Sequence, residues 1–206
     1  MLLIELHYLP CLEYFCEILA ANEVLIEQHE NYQKQTYRNR CRVLTANRVE
    51  TLVVPVLRAN SKVPIREMRI DNSQQWQRQH WGAISLAYAK APFFEYYYDF
   101  FQPAYQNKYT HLFDFNWELL TICLKLMGVA PRIELTKWYD KTPHNDVMDA
   151  RSVIKFPRSG NDSNFCLPKS YQQNFGVEFV ENLSIIDLLF CQGPQAKQIL
   201  AETTKL

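Results

Sequence analysis

The stretch richest in usable chemistry is YQKQTYRNRCRV at 32–43, where Lys34, Arg38, Arg40 and Arg42 fall within nine positions and no acid stands among them. Read as extended chain, residues 38–43 turn Cys41 and Val43 toward a core and put Arg38, Arg40 and Arg42 on the opposite face. Neighbours on such a face lie about 7 Å apart. Guanidinium groups at that spacing donate paired hydrogen bonds to a phosphate, a pyrophosphate or a carboxylate, and Asn39 among them can fix a ligand's orientation. Two plainer readings compete: charges that keep an edge strand from pairing, or surface ion pairs with Glu27, Glu30 or Glu50. A bare edge would take lysine equally well, so the three arginines to one lysine favour recognition.

Two histidines are candidate general bases, because imidazole is poised near neutral pH. His80 lies on a four-residue-step stripe with Trp76, Ile84 and Tyr88, where a packed core histidine is the competing reading. His29 sits beside Glu30, just before the cation block. Arg151, two residues after Asp149, can help its loop close over an anionic ligand. His144, Asp146 and Asp149 are irregularly spaced on a predicted loop, which argues against a cation site. The six cysteines show no CxxC spacing and no histidine at a zinc-like offset, so the chain is read as binding no metal and as carrying free, buried thiols. Asp187 has a sufficient role as a helix cap. The nine aromatics of 93–109 are read as core rather than as a sugar platform.

The whole chain constrains what these residues can serve. Among its 206 residues, 22 are basic and 22 acidic, which argues against a general polyanion binder and against a nucleic-acid track, although Tyr37 alternates with the arginines. Only five glycines occur, none near another, so neither a P-loop nor a dinucleotide turn can be built; phosphate must be held by side chains. MLLI is too short for a signal sequence and no run reaches membrane-spanning length; a cytoplasmic protein is expected.

The elements that must position these groups form an α/β chain read as one domain over 1–206. LLIEL at 2–6 reads as a buried strand. A helix follows Pro10, and Val24–Ile26 begins a second strand, a unit that favours a parallel pair. Residues 40–45 and 50–56 read as a hairpin. A helical segment around 73–127 follows. Its first helix is capped by Asn72 and Gln75, its second stops at Pro103, and its third starts near Asp114 or Asn116 and closes at Gly128. RIELTK at 132–137 alternates as a strand. Residues 138–174 have no period and read as a functional lid or mobile loop. Ser184 and Asp187 cap LSIIDLLF, and Gly193 ends that helix. The predicted architecture is a small mixed sheet flanked by helices.

HYLPCLEYFCEILAANEVLIEQHENYQKQTYRNRCRV followed by LVVPV resembles the opening of the WbqC-like protein family. W-x3-H-W at 76–81, YAKAPFF at 88–94 and the closing NLSIIDLLFCQGP extend the likeness over nearly the whole chain. The resemblance carries over Tyr8, Pro10, Tyr14, Lys34, Asn39, Arg40, Pro55, His80, Tyr88, Lys90, Pro92 and Phe94, and so adds Tyr88 and Lys90 to the expected substrate-binding set. It implies surface-polysaccharide (O-antigen-type) synthesis and transfer of a glycyl or similar acyl group to a nucleotide-linked sugar. Partners would be that anionic sugar, an acyl donor and other enzymes of the pathway. In this reading Lys34, Arg38, Arg40 and Arg42 hold a diphosphate or carboxylate, and His80 or His29 deprotonates the attacking group. The donor can be coenzyme A-linked, adenylated or protein-borne, and the residues select no cofactor. The alternative is a non-catalytic module that binds a nucleotide sugar or a partner enzyme. The chain departs from the family at Gln28–His29, where members carry an acidic pair.

Overall fold

The computed structural model describes residues 1–57, 62–157, 166–167 and 169–205. Strand β1 (Leu2–Glu5) is buried along its whole length, as expected for an apolar run covered on both faces. The chain turns through Leu9 and Pro10 into α1 (Leu12–Ala20) and returns as β2 (Glu23–Glu27), parallel to β1, with Glu5 opposite Glu27. The hairpin β3 (Arg40–Leu44) and β4 (Val49–Val53) is a separate two-stranded sheet, with Cys41 and Val43 buried and Arg40 and Arg42 half-buried.

The helical segment contains α2 (Trp76–Tyr88), α3 (Phe94–Gln106) and α4 (Leu112–Leu126). Two local expectations are corrected. Asn72 does not cap α2: its Oδ1 accepts from Trp76 Nε1 at 3.3 Å and its amide donates to Tyr109 O at 2.8 Å. Pro103 does not end α3. The helix runs through it, because burying Phe101, Ala104 and Tyr105 outweighs one missing backbone donor.

After α4 come β5 (Arg132–Leu135) and β6 (Met148–Asp149). Both join the first sheet, giving the all-parallel order β5-β2-β1-β6. The short β7 (Cys166–Leu167) is followed by α5 (Ile185–Gln192), α6 (Ala196–Ala201) and β8 (Thr204–Lys205), which pairs with β7. Ser184 caps α5 through Ile186 N, and Gly193 follows at φ 53° with Phe93 packed where a Cβ would stand. Within the predicted loop 138–174, the stretch that carries Gly160, Asn161 and Pro168 lies outside the described residues. Among the described residues no helix is long and apolar enough to cross a membrane.

The strand order sets the place of the site. From β1 the chain builds outward through β2 to β5, then comes back to lay β6 on the other side of β1. The switch point therefore lies between β1 and β6, and open parallel sheets bind ligands just beyond the carboxyl ends of such strands. Two non-glycine residues with positive φ flank it: Leu9 at 40° and Ser152 at 59°. Each costs about 1–3 kcal/mol and persists only where its surroundings fix it.

Candidate functional site

Strand periodicity puts Glu5 and the residue two further on, His7, on one face. His7 Nε2 lies 3.2 Å from Glu5 Oε1, and neither side chain reaches solvent. The other Glu5 oxygen accepts from Ser152 N at 2.9 Å, which ties β1 to the chain leaving β6. Arg38 Nη1 stands 3.4 Å from Glu5 Oε1. Burial works against the Glu5 charge, but His7, Arg38 and the Ser152 amide outweigh it and hold the carboxyl at about 2. An ionised Glu5 can only accept, so the His7 proton belongs on Nε2. Burial, helped by Arg38, lowers His7 below the ordinary imidazole value against the pull of Glu5. His7 is thus a neutral imidazole whose Nδ1 has no hydrogen-bond partner among the described residues. Its ring lies between those of Tyr14 and Tyr37, at centroid distances of 4.6 and 5.2 Å.

Arg38 joins this pair to a second acid. Its Nε and Nη2 each bond Glu30 at 2.7 Å, and Nη2 also reaches Ser152 Oγ at 3.0 Å, while Nη1 makes no hydrogen bond among the described residues. The expectation that Arg38, Arg40 and Arg42 share one open face is therefore corrected. Arg38 precedes β3 in a turn, and that turn sends its side chain inward, where it is fully buried. Arg40 remains nearby: its guanidinium lies over Phe156 at 5.7 Å and its buried Nε has no hydrogen-bond partner among the described residues. Phe156 in turn packs on Tyr37 at 4.8 Å. Residues 151–157 thus form a strap over the His7 stack, with Ile154 buried.

Arg151 closes the other side. It leaves β6, yet its Nη1 reaches Glu27 at the end of β2 at 3.0 Å, and its Nε and Nη2 grip Asp149 at 2.9 and 2.7 Å. Glu27 is held as well by His29 N at 2.7 Å and Thr136 Oγ1 at 3.0 Å. The Arg151 guanidinium lies 4.9 Å over the Tyr139 ring.

The remaining predicted residues fall into two groups. His29 is at the site's edge, exposed, with Nε2 donating to Thr136 O at 3.1 Å. Lys34 is exposed in the turn before Arg38, and Arg42 is half-buried on β3. Asn39 donates to Val54 O at 2.9 Å, bracing the hairpin. His80 is in the helical half. Tyr8 OH meets its Nδ1 at 2.9 Å, and burial, against the pull of the Val53 backbone, lowers it to about 4. Its imidazole is tied to the buried Tyr8 hydroxyl, apart from the His7 cluster. Tyr88 is fully buried, donating to Asp187 Oδ1 at 3.0 Å, and Lys90 is exposed at the end of α2. Asp187 is not a helix cap; Tyr171 and Gln173 also donate to it, at 2.7 and 3.0 Å. In the loop, His144 contacts Asp146 while Asp149 is taken by Arg151.

Glu5 and His7 were missed in the sequence. The signal that could have found them is local: an apolar strand whose last residue is acidic, with a histidine two positions on. Such a pair at a strand's carboxyl end is rarely there for packing.

A family comparison settles the chain's kinship, since the model described as the WbqC-like protein family matches residues 6–156 and 145–199. The chain belongs to the WbqC-like family. Among curated proteins, an "Uncharacterized protein Rv1507c" of Mycobacterium tuberculosis is 29% identical over 133 residues, which is 64% of this chain and 57% of that protein. The chain thus spans little more than half of that relative's length. No solved structure matches. For this WbqC-like protein the first match begins at Leu6 and ends at Phe156, so it takes in His7, Arg38 and the strap.

Proposed function

We propose that this WbqC-like protein is a transferase of surface-polysaccharide (O-antigen-type) synthesis that moves an acyl or aminoacyl group onto a nucleotide-linked sugar, with His7 as its base. The observation that carries this reading is the bare Nδ1 of a neutral, buried imidazole whose other nitrogen is fixed by Glu5. A base needs a free lone pair, and a carboxylate behind it stabilises the imidazolium that forms. His7 Nδ1 takes a proton from the sugar's amine or hydroxyl, whose lone pair then bonds to the donor's acyl carbon. The carbonyl oxygen gains the negative charge, which Arg40 Nε, without a hydrogen-bond partner among the described residues, can meet as a donor, with the Arg38 charge behind it. Collapse of that adduct breaks the bond to the leaving group, and the proton on Nδ1 passes to it. The strap must lift to admit substrate, because His7 has no solvent exposure. The pathway assignment rests on the family, and the chemistry on the buried His7–Glu5 pair.

The non-catalytic reading has one observation in its favour: Arg38 and Arg151 already hold carboxylates of their own chain. The test is to incubate the full chain with nucleotide sugars and with coenzyme A thioesters or aminoacyl adenylates, reading the sugar's mass gain. Wild type is expected to give acylated sugar, and His7→Asn to lose at least 10²-fold in rate with its fold intact. Binding without turnover in the wild type supports the module; full activity in His7→Asn removes His7 as base.

A further inference from the structure

Because Arg38 and Arg151 are engaged internally, the outer part of an anionic substrate needs another surface. The loop after β5, KWYDK at 137–141, offers one: Trp138 and Tyr139 are 69% and 50% exposed, and Lys137 and Lys141 beside them are exposed too. Consecutive large aromatics left in water are unusual for an idle loop. This one is also held in place. Thr136 O, two residues before Trp138, accepts from Gln28 Nε2 at 2.7 Å and from His29 Nε2 at 3.1 Å. One face of Tyr139 is covered by the Arg151 guanidinium at 4.9 Å. That guanidinium is itself clamped by Asp149 and Glu27, so it serves as a fixed plane. A preorganised aromatic surface binds without the ordering cost of a loose loop.

The position fits the reading of His7 as base. Thr136 Oγ1 bonds Glu27, and Glu27 pairs with Glu5 across β1 and β2, so the loop rises from the same carboxyl edge as His7. A substrate whose reacting end enters at His7 must leave its other end at this rim. We infer that loop 137–141 is the nucleotide subsite: the base stacks on Trp138, and the diphosphate lies against Lys137 and Lys141. Flat heterocycles of any identity stack on an exposed indole, and lysine ammonium groups serve as point charges for phosphate. The inference deepens the proposed function and rests on it for the direction in which the substrate lies.

The full chain can be titrated with uridine, adenosine and thymidine diphosphates, uridine diphosphate-hexose and free hexose, reading tryptophan fluorescence and calorimetric affinity. Saturable binding of nucleoside diphosphates is expected, weakened at least tenfold by Trp138→Ala. Lys137→Ala/Lys141→Ala should weaken it and flatten its salt dependence, while His7→Asn leaves it within twofold. Three results would overturn the subsite: no nucleotide binds, Trp138→Ala binds as wild type does, or free hexose alone competes. Failure here is separable from failure of the transferase. Turnover with an unchanged KM in Trp138→Ala sinks the subsite alone. Trp138-dependent nucleotide binding without any turnover sinks only the transferase.

Discussion

Glu5 acts on both of its neighbours at once: it fixes the His7 tautomer and supplies part of the countercharge for Arg38. This makes the state of His7 measurable without any substrate. In a nitrogen-correlated NMR spectrum at pH 7, His7 should show a protonated Nε2 and a bare Nδ1, and it should titrate below the ordinary imidazole value of 6.5. A proton on Nδ1 at neutral pH would end its candidacy as base. Glu5→Gln keeps an acceptor for Nε2–H but removes the negative charge behind the ring. If catalysis is confirmed, kcat in that variant should fall by roughly 10⁴, the loss seen when the carboxylate behind a catalytic imidazole is neutralised. At this scale the sequence misled in one specific way. Arginines in a row suggest a shared ligand face; of the acids the sequence offers as partners, Glu30 is the one that takes Arg38, in the interior rather than at the surface, and Glu5 joins it from a strand end that only the fold brings close.

Among the elements, regular period decided what could be read. The strand–helix–strand start, the hairpin and the three helices of 76–126 each repeat an apolar pattern long enough to recognise. Strand β6 has two residues and therefore no period, yet it places Asp149, Arg151 and Ser152 beside β1. The strap that follows is where function predicts motion. It is pinned by Ser152 to Glu5 and Arg38, and by Phe156 to Tyr37. Removing the Phe156 ring should leave those Ser152 bonds while uncovering the stack over His7. Carbethoxylation of His7, mapped by mass spectrometry, should be slow in the wild type and at least tenfold faster in Phe156→Ala. The exposed His29 serves as the internal control and should react alike in both. Equal protection of His7 in the two proteins would mean that the strap is not the way in.

For the molecule as a whole, a formal charge of zero hides an uneven interior and gives no hint of the buried ions. Those ions set the response to acid. Glu5 titrates at about 2 when folded against 4.5 as an ordinary glutamate. A carboxyl depressed by folding stabilises the fold fully above its unfolded value and loses that contribution as pH falls through the folded one. Glu5 therefore contributes roughly 3 kcal/mol at neutral pH, fading between about 4.5 and 2. His7 acts in the same direction, since burial keeps it neutral and protons prefer the unfolded chain as pH drops below 6.5. Asp187 and Glu30 act oppositely: burial raises both, so the folded state binds their protons more readily and mild acid relieves them. The two opposing sets overlap, so a single melting curve cannot separate them, but a difference between variants can. Urea unfolding of wild type and Glu5→Gln from pH 7 to pH 2.5 should show the variant less stable at pH 7 and the gap closing below pH 4.5. A gap that stays constant across that range would mean Glu5 is not held ionised by Arg38 and His7, and the fixed His7 tautomer would lose its cause.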